Sequence, residues 1–106
     1  MRERKQLMEE KSDAFIVTPG GIGTFEEFFE ILTLKQLGRH TKPIVIYNIL
    51  GYFNSMNAMM EDAMEKGFMK STCRELYVFL DTPIDVIRYL EQYSAPNAEL
   101  KYYKNI

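Results

Sequence analysis

Three short apolar runs set the limits on what this chain can become. Residues 13–18, 43–48 and 75–80 each carry apolar side chains on both faces of an extended segment, a pattern that suits strands covered by helices on both sides. Between them lie two segments with apolar residues at helical spacing. One is 25–37, with Phe25, Phe28, Phe29 and Leu32, and the other is 52–66, with Met56, Met59, Met60 and Met64. A last helix is predicted over 83–93, with Thr82 as its N-cap, Pro83 at its first position and Asp85 in its first turn. Residues before Ser12 read as helical too. The order α-β-α-β-α-β-α places the chain in the α/β class, as a doubly wound parallel sheet.

Composition sets the outer bounds. The 106 residues are 46% hydrophobic and 13% aromatic, enough for one small core and too apolar for a disordered chain. Thirteen Lys and Arg against 15 Asp and Glu leave a formal charge of −2, so there is no electrostatic basis for binding nucleic acid. Cys73 is the single cysteine, which excludes an internal disulfide and a thiolate metal cluster and fits a free thiol in a reducing cytoplasm. The apolar runs are far too short to cross a bilayer. The opening Met1-Arg2-Glu3-Arg4-Lys5 lacks the hydrophobic stretch of a signal peptide, so a soluble cytoplasmic protein with no membrane contact is expected. Residues 1–93 read as one domain and 94–106 as a polar, extended tail. Three strands make a small, partial version of a Rossmann-like sheet, with edges that need cover. The chain is therefore expected to associate with itself or another polypeptide, or to be part of a larger fold.

The segment Thr18-Pro19-Gly20-Gly21-Ile22-Gly23-Thr24-Phe25-Glu26-Glu27 follows a predicted strand and opens a predicted helix. Its three glycines permit tight turning and positive φ, and bring bare N–H groups close to a ligand. The helix start aims unpaired N–H groups and its positive dipole end into the same space, which makes an anion site suited to phosphate. A capping box is the competing reading, with Thr24 as N-cap and Glu27 three residues on. Arg4 and Lys5 weigh against it. They sit near the start of the first predicted helix with Glu9 and Glu10 toward its end, which is the reverse of what the helix dipole favours. A helix of about ten residues spans ~15 Å and six strand residues return ~20 Å, which brings the two cations roughly level with the glycine turn.

The pairing of Met1-x-x-Arg4-Lys5 with Pro19-Gly20-Gly21-x-Gly23-Thr24-x-x-Glu27 resembles the two signature motifs of the LOG family, the cytokinin riboside 5'-monophosphate phosphoribohydrolases, also labelled lysine decarboxylase-like. Gln36-Leu37-Gly38-x-His40-x-Lys42-Pro43, the segment from Asn48 to Ser55 with Gly51-Tyr52-Phe53-Asn54-Ser55, and Glu65-Lys66-Gly67-Phe68 are similar to that family as well. Arg2 stands where many members have His. Members usually start with further strands and helices, so the chain resembles the C-terminal half of such an enzyme. The resemblance implies hydrolysis of the N-glycosidic bond of a nucleoside 5'-monophosphate, to free base and ribose 5-phosphate. It implies Arg4 and Glu27 as catalytic residues, with Lys5, Pro19, Gly20, Gly21, Gly23 and Thr24 binding the substrate and its phosphate. It implies no metal, no cofactor, and a homodimer whose subunits share each pocket. A phosphate-binding module without turnover, or an inactive fragment, stands as the alternative.

Other eye-catching residues read more plainly. The methionines at i, i+3, i+4 and i+8 suit a core or a subunit contact. His40 suits a partner for a helix C-terminus. Lys35 and Lys42 show no desolvating pocket in the sequence, which argues against Schiff-base chemistry with pyridoxal phosphate.

Overall fold

The computed structural model describes residues 12–93 and 103–105. Strand β1 is Ala14–Val17, helix α1 is Ile22–Gln36, β2 is Ile44–Tyr47, α2 is Asn54–Glu65, β3 is Val78–Leu80, α3 is Pro83–Gln92 and β4 is Tyr103–Asn105. Two 3-10 turns, Ile49–Gly51 and Ser71–Leu76, precede α2 and β3. All pairings are parallel and the strand order is β3-β2-β1-β4. The predicted helix before Ser12 lies outside the described residues.

The alternation of side chains across the sheet divides the core. Phe15 and Val17 of β1 register with Ile44 and Ile46 of β2, so the four share one face. They cluster with Phe28, Ile31 and Leu32 of α1 and with Met56, Met60 and Met64 of α2. Both crossover helices therefore cover the same face, as right-handed steps in one direction across a sheet require. The step from β3 to β4 runs back to the opposite edge, and α3 packs against β2 with Val86 as its buried residue. The sheet is doubly wound, as the order of apolar runs predicts.

The differences from the sequence reading have local causes. Residues 75 and 76, read as the start of a strand, belong instead to the 3-10 turn Ser71–Leu76, because Leu76 and Tyr77 meet the core three and four residues after Cys73. Helix α2 starts at Asn54 rather than Tyr52, because Leu50 and Gly51 both adopt positive φ and break the helical path. Met56, Met60 and Met64 are buried, but Met59 is exposed, so the stripe serves the core at every fourth residue. A fourth strand comes from the segment read as a polar tail. Tyr103, Lys104 and Asn105 pair with Ala14, Phe15 and Ile16, since an edge strand needs only backbone partners. Thr82 caps α3 as expected, its Oγ1 accepting from the Asp85 N–H at 3.2 Å.

His40 follows the end of α1 but bonds to a carbonyl inside the helix, not to one of its last four. It is not the partly charged partner of a helix C-terminus that the sequence suggests. Its Nε2 donates to the Ile31 carbonyl at 2.9 Å, while Nδ1 accepts from the Lys42 N–H at 3.2 Å. Only the neutral ring can do both. Burial lowers its pKa, the nearby Lys35 and Lys42 charges add to this, and the bond to Ile31 opposes it. The unfolded chain thus takes up a proton that the folded chain refuses, so this stability is present above the ordinary His pKa and lost as pH falls below it. Thermal melts should show a midpoint that drops between about pH 7 and pH 5.5, with a shallower drop in His40→Gln. Tyr77 makes the opposite kind of prediction. Its ring lies edge-on to Phe28 and Phe79, and its buried hydroxyl has no hydrogen-bond partner among the described residues. Burial raises its pKa to about 12. Tyr77→Phe removes a desolvated group that gains nothing, and chemical denaturation should find the variant more stable by about 1 kcal/mol.

Candidate functional site

The site is built where β1 ends. After Val17 the chain turns through Thr18, Pro19 and Gly20, and α1 begins at Ile22 with Gly21 as its N-cap. The N-cap residue Gly21 has no side chain to offer, and the first helical bond runs from the Phe25 N–H to the Gly21 carbonyl at 3.2 Å. The N–H groups of Ile22, Gly23 and Thr24 consequently have no acceptor within the helix. Helix α1 starts three residues earlier than the apolar spacing suggests. Thr24 is its third residue and not its N-cap, which removes the capping-box reading of Thr24 and Glu27.

The three glycines do different work. A Cβ at Gly20 would overlap Thr24 Oγ1, so the Thr24 side chain folds back over the turn and only glycine fits beneath it. At Gly21 and Gly23 a Cβ would meet nothing within 4 Å. None of the three has the positive φ that the sequence suggests, since among described glycines only Gly38, Gly51 and Gly67 do. Packing does not call for glycine at positions 21 and 23. Their bare backbone borders open space at the positive end of the helix, where an anion is best received.

Glu27 lies four residues after Gly23 and three after Thr24, hence on the same helix face about one turn, ~5.4 Å, further along. It is half-buried, beside the buried Phe28. Glu26 is exposed and Glu30 half-buried. The structure therefore brings together Pro19, Gly20, Gly21, Gly23, Thr24 and Glu27. Arg4 and Lys5 lie outside the described residues. The arrangement can receive a phosphate on the N–H groups and hold a carboxylate one turn away from it.

The loop after β2 joins this site; the family resemblance covers its residues 48–55 but gave none of them a role. Tyr52 Oη donates to the Gly20 carbonyl at 2.5 Å. The Tyr52 ring stands edge-on to Phe53 at 4.9 Å, and Phe53 in turn edge-on to Phe25 of α1 at 6.4 Å. Buried Asn48 organises the loop. Its Oδ1 accepts from the Phe53 N–H at 2.6 Å, its Nδ2 donates to Asn54 Oδ1 at 2.7 Å, and its N–H donates to the Leu80 carbonyl of β3 at 2.8 Å. The signal for this loop is Asn48-x-x-Gly51-x-x-Asn54, two amides flanking a glycine.

Lys35 is desolvated after all. Burial lowers its pKa to about 8. Its ammonium donates to the Leu76 carbonyl at 2.9 Å and to Tyr93 Oη at 3.2 Å, and Tyr93 donates to the Thr41 carbonyl at 2.7 Å. These carbonyls precede β3 and β2, at the opposite edge of the sheet from the glycine turn. Lys35 lies twelve residue steps along the helix from Gly23, or ~18 Å. The amine is a brace between elements and is remote from the anion site. Lys42 lies over the Phe15 ring, 5.6 Å from its centroid.

The chain is similar in sequence to known proteins. A family model described as "Possible lysine decarboxylase" matches residues 1–90. The chain is 44% identical over 94 residues to cytokinin riboside 5'-monophosphate phosphoribohydrolase LOG3 of Arabidopsis thaliana, covering 89% of this chain and 44% of that one. It is 41% identical over 100 residues to the probable enzyme of that name, LOGL1, of Oryza sativa subsp. japonica, covering 94% and 45%. Arabidopsis LOG4 gives 42% over 94 residues, covering 89% and 44%. The chain thus spans a little under half the length of these curated relatives. With its family pattern matched along residues 1–90 and the glycine turn built at a strand's C-terminal end, the chain belongs to the LOG family, whose model still carries the lysine decarboxylase label.

Proposed function

We propose that this chain supplies the phosphate-binding turn and the carboxylate of a nucleoside 5'-monophosphate phosphoribohydrolase. The reaction is hydrolysis of the N-glycosidic bond of a cytokinin riboside 5'-monophosphate or an AMP-like nucleotide. The observation that carries this is the start of α1 on a glycine N-cap. Gly21 and Gly23 border open space there, and Glu27 stands one turn further on the same face. The names of the relatives point to the same substrate class.

The chemistry follows from the charges. The 5'-phosphate sits on the N–H groups of the turn, with Thr24 offering its hydroxyl and Pro19 shaping the approach. As the bond from C1' to the base nitrogen breaks, positive charge builds on the ribose, as in glycoside hydrolysis. The Glu27 carboxylate stabilises that charge and orients or deprotonates the attacking water. The water oxygen bonds to C1' and the base leaves with its electron pair and a proton, so free base and ribose 5-phosphate are the products. Arg4 holds a ribose or phosphate oxygen with its planar fork, and Lys5 adds positive charge beside it. The reading includes a cytoplasmic homodimer with each pocket shared between subunits. Exposed Ile84 and Ile87 on α3 and Met59 on α2 support such self-association.

A phosphate-binding module without turnover is separated from this by product analysis. Incubation with AMP should yield adenine and ribose 5-phosphate, and Glu27→Gln should lower the rate by roughly 10²- to 10⁴-fold while leaving the chain folded. Binding of AMP without products would select the module. The glycines give an independent check by calorimetry and thermal melting. Gly23→Ala should keep or raise stability, by up to about 1 kcal/mol, because the helix gains a better former. The same change should weaken ribose 5-phosphate binding, because a methyl group enters the anion's space. Gly20→Ala should lower stability, since Thr24 must move.

A further inference from the structure

The N-cap of α1 is a glycine and supplies no side-chain cap of its own, yet an anion site works only if its N–H groups are held in one direction. The fold meets this need from outside the turn. Tyr52 Oη donates to the Gly20 carbonyl at 2.5 Å, across 32 positions of sequence. The described backbone has no cis peptide, and in a trans peptide the carbonyl and the following N–H point in opposite directions. A hydroxyl that holds the Gly20 carbonyl therefore also sets where the Gly21 N–H points. Gly20 and Gly21 carry no side chains that could restrict this peptide themselves.

Tyr52 is in turn held by a stiff loop. Asn48 bonds through its side chain to the Phe53 N–H and to Asn54, and through its backbone to Gly51 and Leu80. Gly51, at φ 71°, packs so closely on Asn54 that a Cβ would lie 2.7 Å from its amide nitrogen. Leu50 is fully exposed at φ 54° and ψ 21°, a conformation that a leucine adopts only when its surroundings impose it. Its side chain gains no burial in return. Such strain in a loop that ends on the glycine turn points to a placement role and not to packing.

We propose that Tyr52 is a positioning residue for the anion site: the 48–54 loop presents its hydroxyl to the Gly20 carbonyl and thereby aims the Gly21 N–H at the phosphate. This rests on the phosphate-binding reading above. It is distinct from the catalytic role given to Glu27, because Tyr52 acts through the turn and need not touch the substrate.

Tyr52→Phe removes the hydroxyl and keeps the ring against Phe53. In this chain the variant should retain its melting temperature, while the ribose 5-phosphate dissociation constant rises roughly 3- to 10-fold. KM for AMP should rise by a similar factor with little change in kcat. Backbone amide order parameters from nitrogen-15 relaxation should fall at Gly20, Gly21 and Gly23 and stay unchanged in α2. Unchanged order and affinity would overturn the proposal, as would an affinity loss that merely tracks a lower melting temperature. A wild-type chain that binds ribose 5-phosphate but releases no adenine would sink the hydrolase reading and leave the role of Tyr52 standing. A wild-type chain that binds no ribose 5-phosphate would sink both.

Discussion

Parallel pairing of β1 with β2, and of β2 with β3, is the constraint on which the rest of this protein depends. Parallel strands all leave the sheet at the same edge, so each exit loop meets its neighbours there. The glycine turn follows β1, the Asn48 loop follows β2, and the Leu80 carbonyl ends β3. That shared edge is why a tyrosine from one loop can reach a glycine carbonyl in another, and why Asn48 can bond to Leu80. The pairing itself is secured by burial. Ile44, Val45 and Ile46 are inaccessible, so a slip of one residue would exchange the two apolar faces against different helices.

The two edges of the sheet serve different ends. At the C-terminal edge a helix starts on a glycine that supplies no side-chain cap, and one residue is held in a conformation it would not choose. At the N-terminal edge the polar groups are tied down. Lys35, Tyr93 and His40 are committed to the carbonyls of Leu76, Thr41 and Ile31. A partly buried ammonium with a lowered pKa draws attention in a family labelled for lysine chemistry. Here its donors are used as cross-braces, and its distance from the glycine turn separates it from the proposed reaction.

Much of this was legible before any coordinates. The three strands, the three helices that follow them, the Thr82 cap and the glycine turn at a helix start all rest on features within a few residues of one another. Periodicity, a cap and a glycine turn between strand and helix are local signals. The errors share one character. The early start of α1, the 3-10 turn at Ser71–Leu76 and the exposure of Met59 depend on what each segment packs against. Gly20 looked like its neighbours Gly21 and Gly23, and only the position of Thr24 Oγ1 tells it apart.

The amino-acid order by itself determined the class of fold, the glycine turn between a strand and a helix, and the place of Glu27 one turn beyond it, because backbone sterics and apolar spacing act over one or two turns of chain. Tertiary structure alone decided that Tyr52 meets Gly20 across 32 positions, and that Lys35 meets Leu76 across 41 and Tyr93 across 58. It alone paired Tyr103–Asn105 with β1. Contacts at such separations depend on the whole sheet being assembled, and no short stretch of sequence carries a signal for them.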